Sequence, residues 1–149
     1  MKKTTTEIQK EINGYFSIIN GKIDDAYQIS GLHDLFFKES NDNYLPGTYV
    51  FSDKEGYHLD MVGDRGGIVE NKTFSNIEDL YFELCWQMVS EISTNYASKN
   101  RKEGEDWRRI MFSKRIELLN EISEKFALHG KKKIDDILSE NPYDDELLG

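Results

Sequence analysis

Residues 48–78 read TYVFSDKEGYHLDMVGDRGGIVENKTFSNIE, and dividing this stretch decides the fold. Thr48–Ser52 is rich in β-formers. Tyr57–Val62 alternates, with Tyr57, Leu59 and Met61 on one face, and Ile68–Phe74 is a third strand candidate. The connections Asp53-Lys54-Glu55-Gly56 and Gly63-Asp64-Arg65-Gly66-Gly67 are short and supply glycine where a hairpin turn needs positive φ. A three-stranded antiparallel meander is the simplest topology. At Ser75-Asn76-Ile77-Glu78 the pattern changes from the strand period to the helical one, and Ser75 with Glu78 fits a capping box.

Working outward, Ile8, Ile12, Phe16 and Ile19 make one apolar stripe, so a helix is predicted over Thr5–Asn20, capped by Thr4 and Glu7 and stopped at Asn20-Gly21. Between Ile23 and Ser40, Leu32, Leu35, Phe36 and Phe37 fit a short helix or a buried strand equally well. Ser40-Asn41-Asp42-Asn43 reads as a loop. Beyond the meander, Ile77, Leu80, Tyr81, Leu84, Met88, Ile92 and Tyr96 predict a helix to about Ser98. A second long helix is predicted over Gly104–Leu128, burying Trp107, Met111, Leu118, Leu119, Ile122 and Phe126, with Gly130 as its stop. A short last helix follows over Lys131–Glu140, and the acidic tail Tyr143–Gly149 is expected to fray. The class is therefore α+β: a three-stranded antiparallel sheet, an N-terminal helix, and two long plus one short C-terminal helices, with the helices on one sheet face and one domain over residues 1–149.

The chain has 149 residues, 38% hydrophobic and 32% charged, an ordinary globular composition. Cys85 is the single cysteine, so no internal disulfide forms and a reducing compartment is expected. Met1-Lys2-Lys3-Thr4-Thr5-Thr6 has no apolar stretch behind it, and no segment approaches the roughly 20 apolar residues of a membrane span. Cytoplasmic residence is the expectation. The net charge is −9, and from Ile23 to Cys85 thirteen acidic residues face four basic ones, which accounts for all of it. Such a span disfavours nucleic acid and anionic membrane as partners and favours a basic protein. Solubility alone is the alternative explanation.

Candidate chemistry is sparse. His33, His58 and His129 sit on separate elements. His58 and Asp60 lie two apart on one strand face, which suits half a metal site or an acid–base pair, and equally a solvated face. Cys85 falls near an apolar stripe and reads as a small hydrophobe. The glycine-rich Gly63–Gly67 is followed by a strand, not the helix a phosphate cradle needs, and Asp64 would repel phosphate. Asp24-Asp25, Asp135-Asp136 and Asp144-Asp145-Glu146 are surface carboxylates by context, and Lys131-Lys132-Lys133 is too short for a nucleic-acid face. No cofactor is expected.

Residues 95–109, NYASKNRKEGEDWRR, are distinctive. Gly104 lets the chain turn, Glu105 and Asp106 suit the first turn of the next helix, Arg101, Arg108 and Arg109 can pair with Glu103 and Asp106, and Trp107 can pin the corner to the core. A well-capped helix–helix corner explains every residue.

The same segment resembles immunity protein family sixty-three of bacterial polymorphic toxin systems, and the similarity runs over roughly Tyr49–Tyr143. It is carried by the hairpin Tyr57-His58 to Gly63-Asp64-Arg65-Gly66, by Leu80-Tyr81-Phe82 to Trp86, and by Lys99-Asn100-Arg101 with Glu103-Gly104-Glu105-Asp106-Trp107-Arg108-Arg109. Phe112-Ser113-Lys114 with Leu118-Leu119, and Ile137-Leu138 with Asn141-Pro142-Tyr143, continue it. Trp107 stands where the family more often has Phe.

The resemblance implies a non-enzymatic antidote that binds a cognate toxin domain inside the producing cell, and a basic nuclease is the kind of toxin the acidic span suits. On that reading Asp53, Glu55, Asp60 and Asp64 are expected in the toxin contact. Asn100, Arg101, Glu103, Gly104, Asp106, Trp107, Arg108 and Arg109 are expected to be structural, because partner-matched surfaces vary between relatives while the shared corner does not. The alternatives are a general cytoplasmic adaptor or stress protein, and a metal-dependent enzyme using His58 and Asp60.

Overall fold

A computed structural model describes residues 2–41 and 43–148, with the side chains of Leu147 and Leu148 left out. Asp42 in the expected loop, Met1 of the expected leaderless start and Gly149 of the tail lie outside the described residues. Helix α1 spans Thr5–Asn20, the range its stripe predicts. Its capping box forms as read: Glu7 N donates to Thr4 Oγ1 at 3.2 Å and Thr4 N to Glu7 Oε1 at 3.0 Å. Ile8, Ile12 and Ile19 are fully buried and Phe16 nearly so.

The open segment contains a 3-10 turn at Asp25–Tyr27 and a two-residue strand, β1, at Leu35–Phe36. Strands β2 (Gly47–Asp53), β3 (Gly56–Val62) and β4 (Ile68–Phe74) follow. The sheet order is β1-β2-β3-β4, with β1 parallel to β2 and the other pairs antiparallel. The expected three-stranded antiparallel meander is thus corrected to a four-stranded mixed sheet. Two residues cannot display a period, so patterning leaves β1 open between a short helix and a strand. It is held by its pairing of Phe36 with Tyr49, whose rings stack at 4.9 Å.

After Phe74, α2 runs Ile77–Lys99. Its start is capped by Asn76, whose Oδ1 accepts from Glu78 N at 2.9 Å, one residue on from the expected Ser75. Helix α3 spans Arg108–Ile122, α4 Glu124–Glu140, and a single turn, α5, Asp145–Leu148. The expected Gly104–Leu128 helix therefore ends early, and the expected short last helix starts seven residues before Lys131. Ser123 causes the break: it is extended (φ −164°, ψ 133°), and its hydroxyl accepts from Phe126 N, making it the N-cap of α4. Gly130 does not stop a helix. A Cβ there would lie 2.5 Å from Leu119 Cδ1 and 3.3 Å from Trp86 Cζ3, so the glycine permits close approach inside α4.

The chain forms two compact units, one of Met1–Gly14 with Ser30–Leu84 and the other of Tyr15–Ile29 with Cys85–Gly149. In the first, Ser52 N donates to Thr5 Oγ1 and Lys3 N to Tyr57 Oη, tying the start of α1 to β2 and β3, and Val50 and Leu59 are buried. In the second, Ala97, Met111, Phe112 and Ile134 form a core cluster, with Trp86, Trp107, Ile110, Ile116, Leu138 and Tyr143 packed around it. No helix among the described residues is long and apolar enough to cross a membrane.

Candidate functional site

The four carboxylates expected in a partner contact do not form one patch. Asp53 and Glu55 lie at the β2–β3 turn, Asp64 lies in the β3–β4 turn at the opposite end of β3, and Asp60 lies between them. Asp53 is half-buried, Glu55 and Asp64 are exposed, and Asp60 is buried. Ser40 donates its hydroxyl to Asp60 Oδ2, which takes that carboxylate out of the surface.

His58 and Asp60 are expected either as a functional pair or as part of a solvated strand face. Both are buried, and each is served by its own partners. His58 stacks on its cross-strand neighbour Phe51 at 4.7 Å. Its Nε2 stands 2.7 Å from Asp53 Oδ1 and its Nδ1 3.2 Å from Thr73 Oγ1. The hydrogen bond to His58 outweighs partial burial and holds the Asp53 carboxyl below its usual range. Asp53 Oδ1 also accepts from Glu55 N at 2.8 Å, closing the turn. Among the described residues, Asp53, Glu55 and His58 bring one ligand atom each within 4.8 Å of one another and form the group of three that could share a metal ion, a group without Asp60. Cys85 is fully buried, and burial pushes its thiol up to about 12, far from a nucleophile.

Residues 100–109 build a latch. Asn100 Nδ2 donates to Tyr96 O and to Tyr27 Oη, closing the end of α2. Gly104 turns the chain at φ +77°, a conformation that favours glycine, while Arg101 and Glu103 are exposed. Glu105 and Asp106 were expected inside the next helix, but α3 begins at Arg108 and Asp106 precedes it. Asp106 is fully buried, accepting from Arg108 N at 3.0 Å, from the Arg108 guanidinium at 2.9 Å and from Asp144 N at 3.0 Å. Burial alone would raise this carboxyl. The Arg108 side chain and the Asp144 and Arg108 N–H groups overcome it and lower it to about 2.

Arg108 spans the other side, donating to the carbonyls of Asn141 and Pro142 at 2.9 and 2.8 Å. Arg109 pairs with Asp145 at 3.1 Å, not with a near neighbour, and lies 4.1 Å from the Tyr143 ring. Trp107 packs on the core cluster as expected. Asp144 and Asp145, in the stretch expected to fray, thereby bond to the α3 corner.

Arg115 went unnoticed in the sequence. It is buried, its Nε donates to Ser93 Oγ at 3.1 Å, and its guanidinium lies 4.9 Å from Trp86 and 5.3 Å from Phe112. Burial lowers its pKa to about 10. The signal was present: Arg115 sits four residues after Met111 and four before Leu119, on the buried stripe of α3. The hollow lined by Tyr96, Glu105, Arg109, Lys114 and Glu117 carries both charge signs and selects neither.

The family model described as immunity protein 63 matches residues 53–136, more than half of the chain. The match takes in β3, β4, the latch corner and most of α4, and ends before the Asn141–Asp145 segment that the latch holds. No curated protein and no solved structure matches the chain.

Proposed function

The chain belongs to the immunity protein 63 family, and we propose that it is a non-enzymatic antidote that binds and blocks a cognate toxin domain of a polymorphic toxin or contact-dependent inhibition system in the producer's cytoplasm. The observation that carries this reading, beside the family, is where the charge lies. All of the net −9 resides in Ile23–Cys85, a span that contains the whole sheet. A basic toxin, such as a nuclease whose cleft holds phosphate, is the natural complement, and opposite potentials speed capture of a lethal partner. The surface carboxylates Asp53, Glu55 and Asp64 are the contact candidates, and Asp60, buried and bonded to Ser40, is not. The corner Asn100–Arg109 serves stability, because Asn100, Asp106, Arg108 and Arg109 spend their polar groups on holding the chain together.

Growth rescue tests the reading. Cells expressing the toxin domain encoded beside this gene should survive when the chain is co-expressed and die when it is not. Death in both cases would remove the antidote role and leave a general adaptor.

A further inference from the structure

β4 is the last strand in the sheet order, and among the described residues no strand lies beyond it. It is seven residues long, contains no proline, and Ile68–Asn71 are all exposed. A free edge offers a row of N–H and C=O groups that pair readily with another extended chain. Proteins usually blunt such edges with an outward lysine. The one lysine on β4, Lys72, is held 3.5 Å from Glu70 and 3.2 Å from Glu83, so its charge is answered from within the molecule.

The same end of the sheet carries apolar surface. The register between β3 and β4 shifts at Met61/Val62, pairing Met61 with Glu70 and Val62 with Ile68, which leaves Val69 as the extra residue. Val69 is 71% exposed, and Met61 and Ile68 are each 38% exposed. Glu70 follows Val69 on β4, 3.5 Å from Lys72, and Asp64 lies in the β3–β4 turn.

We propose that the free edge of β4 receives an extended, basic segment of the toxin as an added strand, with its apolar residues on Ile68 and Val69 and its cations on Glu70 and Asp64. The inference rests on the antidote reading and names the surface that serves it. Main-chain hydrogen bonds would supply affinity and the flanking side chains specificity. Charge decides between occupants: two copies of a chain at −9 repel one another, whereas a basic segment is attracted.

The test compares hydrogen exchange of the full chain alone and with the toxin domain, followed in the peptide covering residues 68–74. It is paired with binding by the double variant Val69→Lys/Glu70→Lys. Both positions are exposed, so the variant should keep the wild-type circular dichroism and melting temperature. The expected result is slowed exchange in 68–74 and a loss of affinity of at least about tenfold. Tight wild-type binding with unchanged exchange in 68–74 and undiminished variant affinity would overturn the edge while leaving the antidote role standing. No binding by the wild-type chain would overturn both. A concentration-dependent dimer of the free chain that the variant abolishes, with toxin binding intact, would assign the edge to a second copy.

Discussion

Arg108 Nη2 lies 2.9 Å from the fully buried Asp106 Oδ2, and the two residues hold the C-terminal segment from opposite sides. Asp106 accepts the Asp144 N–H while Arg108 donates to the carbonyls of Asn141 and Pro142. A stretch more than thirty positions away in sequence is closed onto the α3 corner by these three hydrogen bonds, by a fourth from Asp106 N to Asp145 Oδ1 at 2.7 Å, and by the Arg109–Asp145 ion pair.

Asp106→Asn should therefore destabilise the fold. The amide keeps the shape but loses the charge that Arg108 and two backbone N–H groups address, and hydrogen bonds to a charged group contribute about 1.5–3 kcal/mol each. A loss of at least about 2 kcal/mol is expected, read as a lower urea midpoint with an unchanged slope. Proteolysis of the variant should begin beyond Glu140.

Acid should weaken the wild type through the same group. The Asp106 carboxyl is lowered to about 2 in the fold, against about 3.9 in an unfolded chain. A depressed folded value gives stability that is fully present above the unfolded value and is lost as pH falls from about 4 towards about 2. Asp53 and Asp145 are also lowered, by His58 and Arg109, but they remain in both proteins. The stability difference between wild type and Asp106→Asn should thus shrink over that window. A difference that stays constant from pH 7 to 2 would show that Asp106 is not the group concerned.

Ser123 makes the break between α3 and α4, and Gly130 lets α4 approach Leu119 and Trp86. Ser123→Ala removes the cap at Phe126 N and should cost about 1 kcal/mol in thermal unfolding. Gly130→Ala gains roughly 1 kcal/mol of helix propensity, but its methyl would press Leu119, Ile116 and Trp86, so a net loss of about 1 kcal/mol is expected. A rise in melting temperature for Gly130→Ala would mean that the helices have slack where the glycine sits.

What could be read from the residues follows from what each signal depends on. Thr4 and Glu7 announced α1 because a capping box is local, and the three long strands announced themselves by alternation and turn glycines. The strand at Leu35–Phe36 has no local signature, because only its pairing with Thr48 and Tyr49 makes it one. Gly130 looked like a helix stop because its real cause, the approach of Leu119 and Trp86, is tertiary. Asp106 and Asn141–Asp145 both stood out in the sequence, yet their meeting could not be inferred from either alone. His58 and Asp60 stand two apart on one strand, but residues distant in sequence decided their partners: Thr73 on the next strand and Asp53 at the turn for His58, and Ser40 in the loop before β2 for Asp60. The acidic span was legible by counting, whereas the exposed apolar end of β4 required the register shift at Met61/Val62.

The most direct test of the antidote reading is the association of the purified full chain with the toxin domain encoded beside it, followed by stopped flow at low and high salt and by calorimetry. The account predicts a one-to-one complex in the nanomolar range, with an association rate that falls steeply as salt rises, because the charge in Ile23–Cys85 steers the encounter. The absence of any complex at micromolar concentrations in low salt would contradict it.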